Sequence, residues 1–219
     1  MRTLLRSLIA GGAIVLLIVA YYFASSMRMS SEAQAQVVDA QTGQPLADAI
    51  VLVSWDAKGL EGYSHGPLVM FELTTDAHGA FTVAGWGPRF MTGFPEIRSN
   101  EPVVRIFRRG YAPAVIENTA PESRVIQLSI DGTVIKLKPS RAPLEEYARE
   151  LEPLLDSIQF LYQSSHCEWQ QAPCTILAMD RLKSELQGSD AARAFRSVDD
   201  IPASPQCSSG REFFAKDLQ

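Results

Sequence analysis

Apolar and polar residues change their rhythm twice along this chain. No charge interrupts the run from Ser7 to Met27, and from Gln34 to Lys138 short β-branched and aromatic stretches are separated by Gly, Pro, Asp and Asn. Beyond Ser140, apolar positions recur at helical spacing. The first run is centred on Leu8–Ala20 and followed by Tyr21, Tyr22 and Phe23. About 20 such residues cross a hydrocarbon core of about 30 Å, and aromatics collect at its edge, so the pattern predicts one spanning helix. Arg2 and Arg6 precede the run and only Arg28 closely follows it. The positive side stays inside, which places the N-terminus in the cytoplasm and everything after the helix across the membrane. A cleaved signal peptide is the alternative, with Ala33-Gln34-Ala35 as a small-x-small site. That site lies roughly ten residues past the apolar run, farther than cleavage sites usually do. No cysteine precedes Cys167, so N-terminal lipidation is excluded.

The middle region predicts strands at Ala35–Asp39, Ala49–Trp55, Val69–Thr74, Ala80–Ala84, Val103–Arg108, Ala114–Glu117, Val125–Ile130 and Thr133–Leu137. Without helices between them, they describe a sandwich rather than alternating strands and helices. Turn chemistry at Gln41-Thr42-Gly43-Gln44-Pro45, Thr75-Asp76-Ala77-His78-Gly79 and Asp131-Gly132 predicts tight reversals, the last two joining antiparallel neighbours. At period two, Val37, Ile50, Leu52, Phe71, Phe81, Val83, Val104 and Ile106 face the core.

After Lys138 the stripe Leu144, Tyr147, Leu151, Leu154, Leu155, Ile158, Leu161 and Tyr162 predicts a helix that Pro153 kinks or divides. A second helix is predicted over Thr175–Gln187 with Gly188 as its stop, and short turns at Ala191–Phe195 and Arg211–Ala215. The stripe is read as a face packed on the sandwich.

Composition narrows the function. Removal of the first 24 residues leaves 18 basic against 25 acidic side chains, a formal charge of −7. That balance and the absence of a basic tract exclude a nucleic-acid partner. The pair Arg108-Arg109 reads as solvated surface charge. None of His65, His78 and His166 stands at metal-ligand spacing, and no nucleophile elbow, phosphate loop or dinucleotide fingerprint occurs. The sequence therefore implies no enzyme, cofactor or metal. Recognition is left to two long aromatic loops. Gly59–Pro67 carries Tyr63 and His65, and Gly85–Pro102 carries Trp86, Phe90 and Phe94. Flat rings at a sandwich end suit a sugar or a partner protein, although aromatics in such loops more often cover the open edge of the sandwich or pack under the tail.

Residues 37–49, Val-Val-Asp-Ala-Gln-Thr-Gly-Gln-Pro-Leu-Ala-Asp-Ala, followed by Val51-Leu52-Val53, are similar to the opening of carboxypeptidase regulatory-like domains. Thr75–Phe81 resembles the second hairpin of that family, and Arg109-Gly110-Tyr111 its Gly-Tyr before the last strands. The resemblance covers about half of the chain. It implies a seven- to eight-stranded antiparallel, transthyretin-like sandwich used as an accessory module in the bacterial envelope, without catalytic residues. By spacing alone Cys167 can close with Cys174 or with Cys207. Cys167-Glu168-Trp169, Pro173 and Cys207-Ser208 are similar to bacterial sequences of this type, and that likeness implies a Cys167–Cys207 bridge. It would hold Phe213-Phe214 against the helices.

The expected organisation is an anchor at 1–27, a linker at 28–33, the sandwich at 34–139 and a helical extension at 140–219. The expected setting is the inner membrane, single-pass, with the folded part periplasmic. The expected partner is an envelope protein or, as the alternative, a carbohydrate or peptidoglycan.

Overall fold

The structure, a computed structural model, describes residues 12–17, 20–21, 27–58, 64–90, 96–97, 101–121, 123–163 and 167–218. Residues 12–17 and 20–21 are helical, and Ile14, Val15, Leu16 and Leu17 are 58–70% exposed. Most of the apolar run lies outside the described residues. Among those described, no helix is long and apolar enough to cross a membrane.

Residues 28–33 are no linker. Strand β1 (Met27–Ser30) leads within two residues into β2 (Ala33–Asp39). The remaining strands are β3 (Ile50–Lys58), β4 (Ser64–Thr74), β5 (Ala80–Val83), β6 (Trp86–Phe90), β7 (Glu96–Ile97), β8 (Val103–Phe107), β9 (Ala114–Glu117), β10 (Val125–Ile126) and β11 (Thr133–Leu137). They make two layers. One is a bent layer of three chain lines, ordered β10-β1-β6 and then β11-β2-β5, broken at Ser31-Glu32 and Ala84-Gly85. The backbones come close at this bend: a Cβ on Gly85 would stand 2.8 Å from the Ser30 carbonyl oxygen, so a glycine is required. The other layer is the five-stranded sheet β4-β3-β8-β9, with β7 also on β3.

Three expectations are corrected here. The pairs β1–β10 and β2–β11 are parallel, so the sandwich is mixed rather than antiparallel. Eleven strands form among the described residues instead of seven or eight. The turn signals also do not make hairpins. At Thr75–Gly79 the chain leaves β4 in one layer and enters β5 in the other, where β5 pairs with β2. Asp131-Gly132 turns the chain between β10 and β11, which pair with different strands. Turn chemistry reverses a chain locally, whereas burial of both inner faces chooses the strand's neighbour. Gly79 shows how tight such a corner is. Its φ is +70° and a Cβ would lie 2.3 Å from the Val37 carbonyl oxygen.

Val37, Val51, Val53, Trp55, Phe81, Val83, Val104 and Ile106 fill the space between the layers. Ile50 and Leu52, expected there, point the opposite way toward the helices. Strand β3 is apolar on both faces because both are covered, so its alternation is hidden.

The covering helices are α1 (Leu144–Glu150), α2 (Glu152–Ile158), α3 (Phe160–Gln163), α4 (Pro173–Glu185) and α5 (Gly210–Phe213). Pro153 divides the first predicted helix and sits in the first turn of α2. Leu52, Met70 and Phe107 of the sheet join Leu151, Leu154, Ile158, Leu161, Trp169 and Met179 in a second core. The fold is thus bent sheet, flat sheet, then helices. The sheet also caps α4: Glu72 accepts hydrogen bonds from the backbone N–H of Cys174 and Thr175, both at 2.7 Å.

Cys167 and Cys207 are joined, with Cα atoms 5.8 Å apart. Phe214 is buried and Phe213 lies edge-on to Trp169 at 5.1 Å. Cys174, in the first turn of α4, is a free thiol and exposed.

Candidate functional site

Among the described residues, a concavity forms where the helices meet the end of the five-stranded sheet. Strand β8 ends at Phe107, and Arg108-Arg109-Gly110 turn the chain with Gly110 at φ +81°. The Tyr147 hydroxyl of α1 clamps this turn, accepting from the Gly110 N–H at 3.2 Å and donating to the Tyr111 carbonyl at 3.1 Å. Ile50 and Phe107 from the sheet, Leu144 from α1 and Ala178 and Leu182 from α4 make an apolar floor. The cleft is half-open and has a volume of about 770 Å³.

Its rim is basic. Arg108, Arg109 and Arg181 line it, opposed by Asp48 as the one acidic lining residue. The three arginines differ in their freedom. Arg109 forms a two-pronged hydrogen-bonded pair with Glu185 at the end of α4. That side-chain bond holds the Glu185 carboxyl below its ordinary range and the guanidinium above its own. Arg108 meets Asp48 at a loose 3.7 Å, and Asp48 is 83% exposed. Arg181, one helical turn before Glu185, is exposed and has no carboxylate partner among the described residues.

A second polar group is internal. Arg105 of β8 is buried under the helices, donates to Ser54 Oγ at 2.9 Å and lies 5.4 Å over the Phe160 ring. Beside it Glu101 is buried, and desolvation first, then the Asp56 charge, raise its carboxyl to about 7. This group ties sheet to helices. Around the tail, Lys183 pairs with Asp200 at 2.8 Å and Arg211 with Asp199 at 2.6 Å. Those charges satisfy one another.

The residues singled out from the sequence fare unequally. Tyr63 and Phe94 lie outside the described residues; His65 falls on β4 and Phe90 on β6, with their side chains likewise outside. Trp86 is corrected. It belongs to a strand, not a loop, and its half-buried ring packs edge-on against Trp55 at 5.7 Å in the sheet–sheet core. It covers the core edge. Arg108-Arg109, read as solvated charge, keep much of their side chains exposed and also line the cleft. Arg181 completes the rim from 72 residues farther along the chain, where no sequence pattern links the two. Among the described residues no group of three or more His, Cys, Asp or Glu side chains could hold a metal ion.

Fold and cleft together define a mainly β sandwich protein whose second sheet is roofed by C-terminal helices. No protein-family model and no curated protein sequence matches the chain. Solved structures similar to it include a Streptococcal ancillary pilin, at 17% identity and TM-score 0.29 over 53% of this chain and 31% of that one. The shaft pilin SpaA from Lactobacillus rhamnosus GG is similar at 15% identity and TM-score 0.27, over 53% and 47%. A 3-chlorocatechol 1,2-dioxygenase from Rhodococcus opacus 1CP is similar at 18% and 0.31, over 53% and 61%. The chain spans from about a third to about three-fifths of the length of these structures.

Proposed function

We propose that this chain is a non-catalytic binding module of the carboxypeptidase regulatory-like type, anchored in the bacterial inner membrane by its N-terminal helix. Its folded part stands in the periplasm and acts through contacts with a partner protein. The observation that carries this reading is the cleft at the junction of sheet and helices, with an apolar floor and a basic rim. Interfaces of this make-up combine apolar burial with arginine at a few anchoring positions. The Cys167–Cys207 bridge supports an oxidising compartment, where such bonds persist. The exposed apolar side chains at residues 14–17 support an anchor, since none of the described residues covers them. Trp86, one of the rings named for the carbohydrate alternative, packs half-buried against Trp55, which favours the protein-contact reading.

A photo-reactive residue placed at Ala178 in the cleft of the intact, membrane-borne protein tests the reading. It should cross-link a discrete protein, while the same probe at Thr82, on the exposed face of the bent layer, should not. Equal labelling from both positions, or none from Ala178, overturns it. A periplasm-specific reporter fused after Gln219 should be active, and activity of a cytoplasm-specific one instead overturns the topology.

A further inference from the structure

The charge of the cleft runs against the charge of the molecule. The chain carries a formal −5, yet three arginines and a single aspartate line this concavity. Guanidinium groups bind carboxylates through paired, directional hydrogen bonds, so their clustering specifies what suits the rim. Only two of the three are available. Arg109 is held by Glu185, whereas Arg108 meets an exposed Asp48 at 3.7 Å and Arg181 has no carboxylate partner among the described residues. Between them lies the apolar surface of Ile50, Phe107 and Leu182. Resting on the protein-contact reading above, we infer that the occupant is an acidic peptide segment of the partner. It carries an apolar side chain for the floor and flanking carboxylates for Arg108 and Arg181, one of which displaces Asp48.

Position in the fold separates this occupant from an anionic lipid. The chain enters the sandwich at Met27 and runs through β1, a bend at Ser31-Glu32 and β2 to Asp39, a contour of at most roughly 40 Å at the rise of an extended strand. Asp39 accepts a hydrogen bond from the Tyr111 hydroxyl at 3.0 Å, directly beside Gly110 of the cleft. The cleft therefore sits at the end of the sandwich opposite Met27, where the chain enters it, which favours a segment of a partner protein over a lipid of the membrane. The half-open shape suits an extended segment crossing the rim.

The test uses the full chain in detergent micelles and a fluorescent probe, the peptide acetyl-Asp-Glu-Leu-Phe-Glu-Asp-amide. Binding should be saturable and weaken as salt rises, and the Lys-Lys-Leu-Phe-Lys-Lys counterpart should not bind. Arg181→Glu should weaken binding at least tenfold, and the milder pair Arg108→Gln with Arg181→Gln should do so with an unchanged melting transition. Both side chains are partly or fully exposed, so neither change disturbs the core. Absence of acidic-peptide binding, or binding indifferent to both variants, overturns the inference. Displacement of the peptide by short-chain phosphatidylglycerol, lost in the same two variants, overturns it too. If the peptide fails while the Ala178 cross-link persists, the acidic class is wrong and the protein-contact reading stands. If both fail, both are wrong.

Discussion

Glu101 is a residue whose acid chemistry is strongly altered by its surroundings. Burial beside Asp56 makes its ionised form costly, so its carboxyl sits at about 7 in the folded chain against an ordinary 4.5. A folded pKa above the unfolded one means that the protonated form contributes stability in full below about pH 4.5. That contribution is lost as pH rises through 7. Glu101→Gln keeps the shape without the charge. Relative to the parent it should leave stability near pH 4.5 little changed and raise it by about 1–3 kcal/mol at pH 8. Urea denaturation of both proteins at the two pH values measures this, and equal differences at both would contradict it. Asp39 works in the opposite direction. The Thr42 N–H above all, then those of Gln41 and the Tyr111 hydroxyl, hold its carboxyl below the usual range. It is one of the groups whose protonation loosens the fold in acid.

At the scale of elements, the tail depends on a single covalent tie. The Cys167–Cys207 bridge closes a sequence separation of 40 and delivers Phe214 into the helical core. On the chain-entropy model a loop of that length contributes about 3–4 kcal/mol. Cys207→Ser should therefore lower the unfolding free energy by about that amount, read by denaturant titration, and make the segment after Ile201 sensitive to proteolysis. An unaltered midpoint would show that packing of Phe213 and Phe214 alone holds the tail. Alkylation of the folded, oxidised parent should label Cys174 only, because it is exposed while the other two are paired. Burial and the Glu72 carboxylate raise that thiol, so labelling should be slow near neutral pH.

The molecule as a whole is three layers in which the flat sheet has two buried faces. Leu52, Met70 and Phe107 are buried only because the helices cover them. A chain ending at Pro139 would expose this surface together with Arg105, whose partner ring Phe160 would be lost. Such a truncation should be unstable or aggregate by size exclusion, and a monodisperse, cooperatively melting sandwich would show that the helices are dispensable. The expected boundary at 139/140 thus divides the chain by element type without dividing it into independent units.

Local features were legible in the sequence for local reasons. The helical stripe after Ser140, its division at Pro153 and the extents of β9 and β11 follow from periodicity and breakers, which act over a few residues, while α4 starts two residues before and ends two residues short of the predicted Thr175–Gln187. The bridge followed from a resemblance, since spacing left Cys174 open. Strand partners, the face on which Ile50 and Leu52 lie, the burial of Trp86 and the meeting of Arg108 with Arg181 were decided by tertiary structure alone. The physical reason is common to them. An apolar residue in a strand is satisfied by burial on either face, and an exposed arginine by water. Only the packing of distant layers selects which face is covered and which charges share a cleft.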